Sequence, residues 1–249
     1  MSALHVAGLS KRFAGLLAVN DVTFAIEPGE RRLLIGPNGA GKTTLFNLIS
    51  GTLPASSGAI TLFGRPVATL PPERRAALGM ARTFQINTLF PALSALDNVM
   101  LAVQARDPAH FVMHRRRAAY PRLAARAQSL LQSWGLGGDA STVARDLSYG
   151  RQRQLEIVMA VASEPKLLLL DEPTSGLSPA ETAMISEMIL RLPREIAMLV
   201  IEHDMDVAFK LADSVTVLHL GGVIAQGSPD EVRRSAQVRE IYLGAVESQ

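Results

Sequence analysis

The sequence predicts an α/β fold: a mostly parallel sheet with antiparallel strands at its N-terminal end and an inserted α-helical subdomain. Three observations carry this. A glycine-rich turn, "GPNGAGKT" (36–43), lies between an apolar strand-like run and a helix-like one. Short apolar runs such as "KLLLL" (166–170) are continuous, as in parallel strands covered on both faces. From 87 to 162 the strand signals vanish, and Ala, Leu, Arg and Gln dominate with helical periodicity.

Taken in order, "LHVAGL", "LAVNDVTFAI" and "RRLLI" within residues 3–35 are apolar runs set off by Gly, Pro and Asn turns, and they read as strands. "KTTLFNLISG" (42–51) reads as a helix with Gly51 just past its end. "GAITLFG" is a further strand, 72–79 a short helix, and "MARTF" (80–84) a strand. After the helical stretch come strand 166–170, helix 178–192, strand 197–201, helix 204–212 and strand 214–219. The expected organisation is one domain, 1–249, with a core of 1–86 and 163–249 and a helical subdomain of 87–162.

The bulk numbers exclude several classes. With 48% hydrophobic residues the chain has ample material for a core. No run approaches the ~18 apolar residues of a membrane span, and the start lacks a signal-peptide core, so a cytoplasmic location is expected. The absence of cysteine excludes disulfides and thiolate metal sites. A net charge of +2 is too small to argue for nucleic acid as a partner. Residues 105–126 do concentrate charge: Arg106, Arg115, Arg116, Arg117, Arg122 and Arg126 stand against a single aspartate. That is either a solvated face or a surface lying near anionic headgroups or a partner.

The chemistry-bearing residues fall at strand ends. Gly36, Gly39 and Gly41 let the backbone curl so that its N–H groups face phosphates, and Asn38 lies in the same turn. Lys42 adds a full positive charge, Thr43 a hydroxyl suited to Mg²⁺, and Thr44 follows at the helix start. "LLLLDE" ends a buried strand in Asp171 and Glu172, on the side where ligands sit in open α/β sheets. Asp171 is suited to the Mg²⁺ shell and Glu172 to polarising a water for in-line attack. "LVIEHDM" ends another strand at Glu202, and His203 after it can donate to a γ-phosphate oxygen. Gln85, closing "RTFQ", can reach Mg²⁺ or the water from the entrance to the helical stretch. "LSYGR" (147–151) opens a helix, where Ser148 and Gly150 suit backbone recognition of an anion.

These elements together resemble the ATP-binding cassette (ABC) ATPases, a branch of the P-loop NTPases. The matches run in order along nearly the whole chain: the phosphate loop, the glutamine Gln85, "LSYGR" in place of the family signature, "LLLLDE", "SGLS" (175–178) and the histidine His203. "KRFAGLLAV" places Phe13 where the family keeps an aromatic residue against adenine. There are two departures. Arg151 stands where the signature usually has Gln; it is long enough to reach a phosphate or ribose, or to turn to solvent. Ser178 stands where Asp or Asn is usual, able to hydrogen-bond across an interface without a charge.

The resemblance implies ATP and Mg²⁺ as cofactors and a head-to-tail homo- or heterodimer. Lys42, Thr43, Gln85, Asp171, Glu172 and His203 would come from one subunit, and Ser148 and Gly150 from the other. It further implies integral-membrane permease subunits, a periplasmic solute-binding protein, and a place on the cytoplasmic face of the inner membrane. "GMARTFQ", "IEHDM" and the ending "VREIYLG" are most similar to ATPases of branched-chain amino acid importers. Importers of urea, amides or aromatic acids and lipopolysaccharide-type exporters are the nearest alternatives, and a non-transport ABC ATPase a more distant one.

Overall fold

The structure, a computed structural model, describes residues 1–83, 89–105, 120–202 and 205–246. Gln85, His203 and the arginines 106, 115, 116 and 117 lie outside the described residues. The described chain forms two compact units.

The first unit comprises Met1–Arg82, Lys166–Ser175 and Leu192–Gln249. Strands β1 (Leu4–Phe13), β2 (Leu16–Ile26), β4 (Ser57–Leu62) and β5 (Arg65–Pro66) form an antiparallel sheet in the order β2-β1-β4-β5. Strands β3 (Arg31–Ile35), β6 (Met80–Arg82), β7 (Leu167–Asp171), β8 (Ala197–Ile201), β9 (Ser214–His219) and β10 (Gly222–Gly227) form a second sheet, ordered β10-β9-β3-β8-β7-β6. All its pairings are parallel except β9 with β10. The reason for the apolar runs is plain at β7 and β8, whose residues are all buried.

Helix α1 (Lys42–Ser50) contributes Leu45, Phe46, Leu48 and Ile49 to a core shared with Leu4 and Leu9 of β1, Leu34 of β3 and Leu169 of β7. Its last carbonyls are capped from inside the protein. The buried Arg75, in α2 (Pro72–Ala77), donates to Leu48 O and Ile49 O at 2.8 and 2.6 Å. A cation at a helix C-terminus also opposes the negative end of the dipole, and burial lowers the pKa of this guanidinium.

The second unit comprises Thr83–Pro165 and Gly176–Arg191. It holds α3 (Ala95–Gln104), α4 (Pro121–Ser133), α5 (Tyr149–Ala162) and α6 (Pro179–Leu190). Ser94 caps α3 by accepting from Asp97 N at 3.1 Å. The fully buried Asn98 accepts from Phe90 N and donates to Phe90 O and Ser94 O, which fixes the turn into that helix. Of the basic stretch, Arg122 is exposed, and Arg126 pairs with Glu164.

Several elements depart from the sequence reading. The strand expected over 80–84 ends at Arg82, the helix expected over 178–192 spans Pro179–Leu190, and the helix expected over 204–212 is α7 (Met205–Leu211). Strand β10 and helices α8 (Pro229–Arg234) and α9 (Ala236–Val246) were not anticipated. Strand β10 is half-buried along most of its length, so no alternation marks it. Helix α8 did carry a readable signal: Ser228 and Glu231 form a capping box. The largest departure is α6. The βαβ alternation assigns it to the core, whereas it belongs with the helical unit, where it packs against α5. No helix among the described residues is long and apolar enough to cross a membrane.

Candidate functional site

The carboxyl end of β3 runs into the glycine turn, and α1 begins at its far side. Two glycines are sterically obligatory. A Cβ at Gly36 would lie 2.3 Å from Leu218 O, and one at Gly41 would lie 2.4 Å from Ala18 O, with Gly41 at φ 99°. The turn therefore wraps tightly against the ends of β2 and β9. Lys42 curls back over it, donating to Gly36 O at 2.6 Å and Pro37 O at 3.1 Å. The side chain is buried, and burial lowers its pKa; Glu172 and then Asp171 act in the opposite direction.

The turn lines an open cavity of about 560 Å³, within the range of ligand sites. Asn38, Gly39, Gly41, Lys42, Thr43 and Thr44 line one side, with Glu172 beside them. Phe13 lines the same cavity and, at 43% exposed, is not part of the core. Lys11 Nζ stands 5.1 Å from its ring centroid. Leu16 and Leu220, exposed apolar side chains that the sequence reading passed over, complete this rim.

The two carboxylates occupy different environments. Asp171 is 1% exposed and pairs with Arg82 Nη2 at 3.1 Å. Glu172 has the left-handed φ of 49°, uncommon for a non-glycine residue. Strain of this kind concentrates at functional sites. Its N–H donates to Ile201 O, and its carbonyl accepts from Ser175 N, so the bend is held on both sides.

In the helical unit, Ser148 is the N-cap of α5, accepting from Arg151 N at 3.3 Å, and is exposed; Gly150, the second residue of the helix, is buried. Arg151 follows neither course expected for it. Its Nη1 donates to Gly135 O at 2.9 Å and Gln154 Oε1 at 3.0 Å, and its Nε lies 3.6 Å from Asp139. Ser178 is the N-cap of α6, its hydroxyl donating to Glu181 Oε2 at 2.7 Å.

Residues 19–175 match the family described as ABC transporter. The chain belongs to the ABC transporter family. It is an ATP-binding-cassette ATPase, and its α/β core with helical segments is the fold of that class. Residues 223–248 of this ABC ATPase also match a second family, described as branched-chain amino acid ATP-binding cassette transporter. Among curated relatives it is 39% identical over 248 residues to the "High-affinity branched-chain amino acid transport ATP-binding protein LivG" of Salmonella typhimurium, covering 97% of each chain. It is 37% identical, with the same coverage, to BraF of Pseudomonas aeruginosa, which carries the same description. A solved nucleotide-free ATP-binding cassette from an ABC transporter superposes with a TM-score of 0.84 at 27% identity, covering 97% of this chain and 99% of that one.

Two residues of this ABC ATPase deserve roles that sequence reasoning did not give them. Arg82 opens "RTFQ", whose chemistry the sequence points to only at Gln85. Its guanidinium joins Asp171 to Asn47 Oδ1 and Ser50 Oγ of α1, both at 2.8 Å. It thus orients the buried carboxylate next to the phosphate turn. Glu202, read only as the residue before His203, is 3% exposed, and its Oε1 accepts from Thr174 N at 3.0 Å and Thr174 Oγ1 at 2.8 Å. One carboxylate at the end of β8 thereby fixes the loop that follows Glu172. The signal available was an acid ending an apolar strand, a position that demands hydrogen-bond partners.

Glu202→Ala leaves both Thr174 donors without their acceptor and lowers unfolding stability by about 2–3 kcal/mol, a Tm loss of about 5–10 °C. Glu202→Gln keeps an oxygen acceptor and retains most of the difference. Thermal unfolding without nucleotide checks this; equal losses in both variants would contradict the assigned bond.

Proposed function

We propose that this ATPase energises an importer of branched-chain amino acids, working as a dimer on the cytoplasmic face of a membrane permease. The observation that carries the chemistry is the convergence of the glycine turn, Lys42, Thr43 and Glu172 on one cavity. The solute class is supported by the match of residues 223–248 and by the printed names of the relatives.

In this reading the N–H groups of the turn and the Lys42 ammonium bind the β- and γ-phosphates of ATP. The Phe13 face and the neighbouring leucines receive the adenine. Thr43 and Asp171 offer a hydroxyl and a carboxylate, hard oxygen donors that fit Mg²⁺ once phosphate oxygens and water complete the shell. Bound there, Mg²⁺ would neutralise charge developing on the phosphates. Glu172 takes a proton from the attacking water. His203 and Gln85, outside the described residues, would hold that water and the γ-phosphate in line. A second subunit supplies Ser148 and the amide of Gly150, so ATP favours the closed dimer by its differential affinity for that state. Hydrolysis removes the γ-phosphate and with it that preference.

The test is uptake in a strain lacking this gene. Restoring the native chain returns leucine, isoleucine and valine uptake, whereas restoring Glu172→Gln leaves it at background. Normal uptake of all three without the gene, with loss of urea or aromatic-acid uptake instead, would move the solute class to those alternatives.

A further inference from the structure

Glu181 ties together two helix starts. Its Oε2 accepts from Ser178 N at 3.0 Å and from the Ser178 hydroxyl at 2.7 Å, closing the capping box of α6. Its other oxygen lies over the signature turn, where a Cβ added to Gly150 would stand 2.3 Å from Oε1 and 2.8 Å from Cδ. The Gly150 amide lies close enough to help hold this carboxyl below its ordinary value. A side chain at position 150 would have to push this carboxylate aside.

Capping alone does not require this arrangement, and the molecule contains its own comparison. Helix α8 starts with the same box, Glu231 Oε2 accepting from Ser228 N at 2.7 Å and from the Ser228 hydroxyl at 2.8 Å. The glycine that Glu231 lies against is Gly227, beside its own cap residue, where an added Cβ would stand 2.7 Å from Oε2. Only Glu181 of the two boxes reaches across to another helix. Ser178's hydroxyl and amide, and then Gly150's amide, hold its carboxyl below the usual carboxylate value, so it stays charged at neutral pH.

We propose that Glu181 gates the signature turn: its carboxylate holds the Gly150 amide that the γ-phosphate of a second subunit's ATP must take, and the dimer closes only by displacing it. This rests on the dimer reading above. One N–H cannot serve both anions at full strength, and a carboxylate left beside a γ-phosphate repels it. Because Oε2 of the same group holds Ser178, displacement also loosens the loop leading into α6. Occupancy of the partner's site is thereby passed to the Ser178 loop through one side chain. Glu181 is a positioning residue, acting on phosphate through Gly150.

The experiment measures the ATP concentration at which half the protein dimerises, by sedimentation velocity, in a Glu172→Gln background. Adding Glu181→Gln, which is isosteric and keeps an acceptor for Ser178, removes the competing charge and lowers that midpoint roughly fivefold. Adding Glu231→Gln, the matched change in α8, leaves it unmoved. ATP affinity of the monomer is unchanged by either, since neither side chain lines the nucleotide cavity. An unmoved or raised midpoint with Glu181→Gln overturns the gate. So does a shift matched by monomer affinity or reproduced by Glu231→Gln, because each would place the effect elsewhere. Absence of any ATP-driven dimer, even with Glu172→Gln alone, overturns the dimer reading and the gate together.

Discussion

Glu172→Gln lowers ATP turnover by at least about 100-fold, the usual contribution of a positioned general base, while leaving ATP binding intact. The reasons lie in the local geometry. Glu172 sits at φ 49° at the end of a fully buried strand, braced by its N–H on Ile201 O and by Ser175 N on its carbonyl. Its side chain lines the cavity that holds Lys42 and Thr43. Glutamine is isosteric, so the bend and the phosphate turn are retained, but an amide does not take the water's proton. The change also removes a negative charge from beside the γ-phosphate, which favours the ATP-bound state of the proposed dimer. Phosphate release, ATP titration and sedimentation in parallel check the three parts. Turnover at the native rate would remove Glu172 from the role of base.

Lys42→Met lowers nucleotide affinity by about 10- to 100-fold, the scale of a charge-assisted hydrogen bond to phosphate. Its effect without nucleotide runs the other way. The Lys42 ammonium is buried against the carbonyls of Gly36 and Pro37, and burial lowers its pKa below the ordinary lysine value. A lysine whose folded pKa is depressed carries a folding cost. That cost is fully present below the folded pKa and is relieved as pH rises through it toward the unfolded value. Methionine fills similar volume without that cost, so the nucleotide-free variant unfolds at the same temperature as the native protein or higher. The difference is largest at neutral pH and narrows at alkaline pH. A titration by calorimetry and thermal scans at several pH values check both halves. Unchanged nucleotide affinity would count against the phosphate role of Lys42, and a large loss of apo stability would contradict the burial argument.

Particular residues show where reading the sequence succeeds and where it stops. The glycine turn was legible because its chemistry is contiguous: Gly36, Gly41, Lys42 and Thr43 lie within one bend, flanked by a strand and a helix whose apolar patterns are local. Asp171 and Glu172 were legible for the same reason, at the end of an unbroken apolar run. Phe13 was placed by its motif, and its exposure on the cavity rim agrees with that reading. By contrast, the sequence leaves Arg151 either to reach a phosphate or ribose or to turn to solvent, and it is spent on Gly135, Gln154 and Asp139. Helix α6 was assigned to the core by alternation, and its packing against α5 places it with the helical unit.

The sequence by itself determined the class of fold, the glycine turn between strand and helix and the acids at the strand ends, because hydrophobic periodicity and turn chemistry are encoded between near neighbours. Only the tertiary structure decided which distant groups share a bond. Arg82 meets Asp171 across 89 positions, Thr174 meets Glu202 across 28, and Glu181 Oε1 comes to lie over Gly150 of another helix. Each of these contacts exists because the chain topology brings two strand ends or two helix starts together. A polar group buried there must find a partner at hydrogen-bond distance, and no pattern of neighbouring residues says which one it will be.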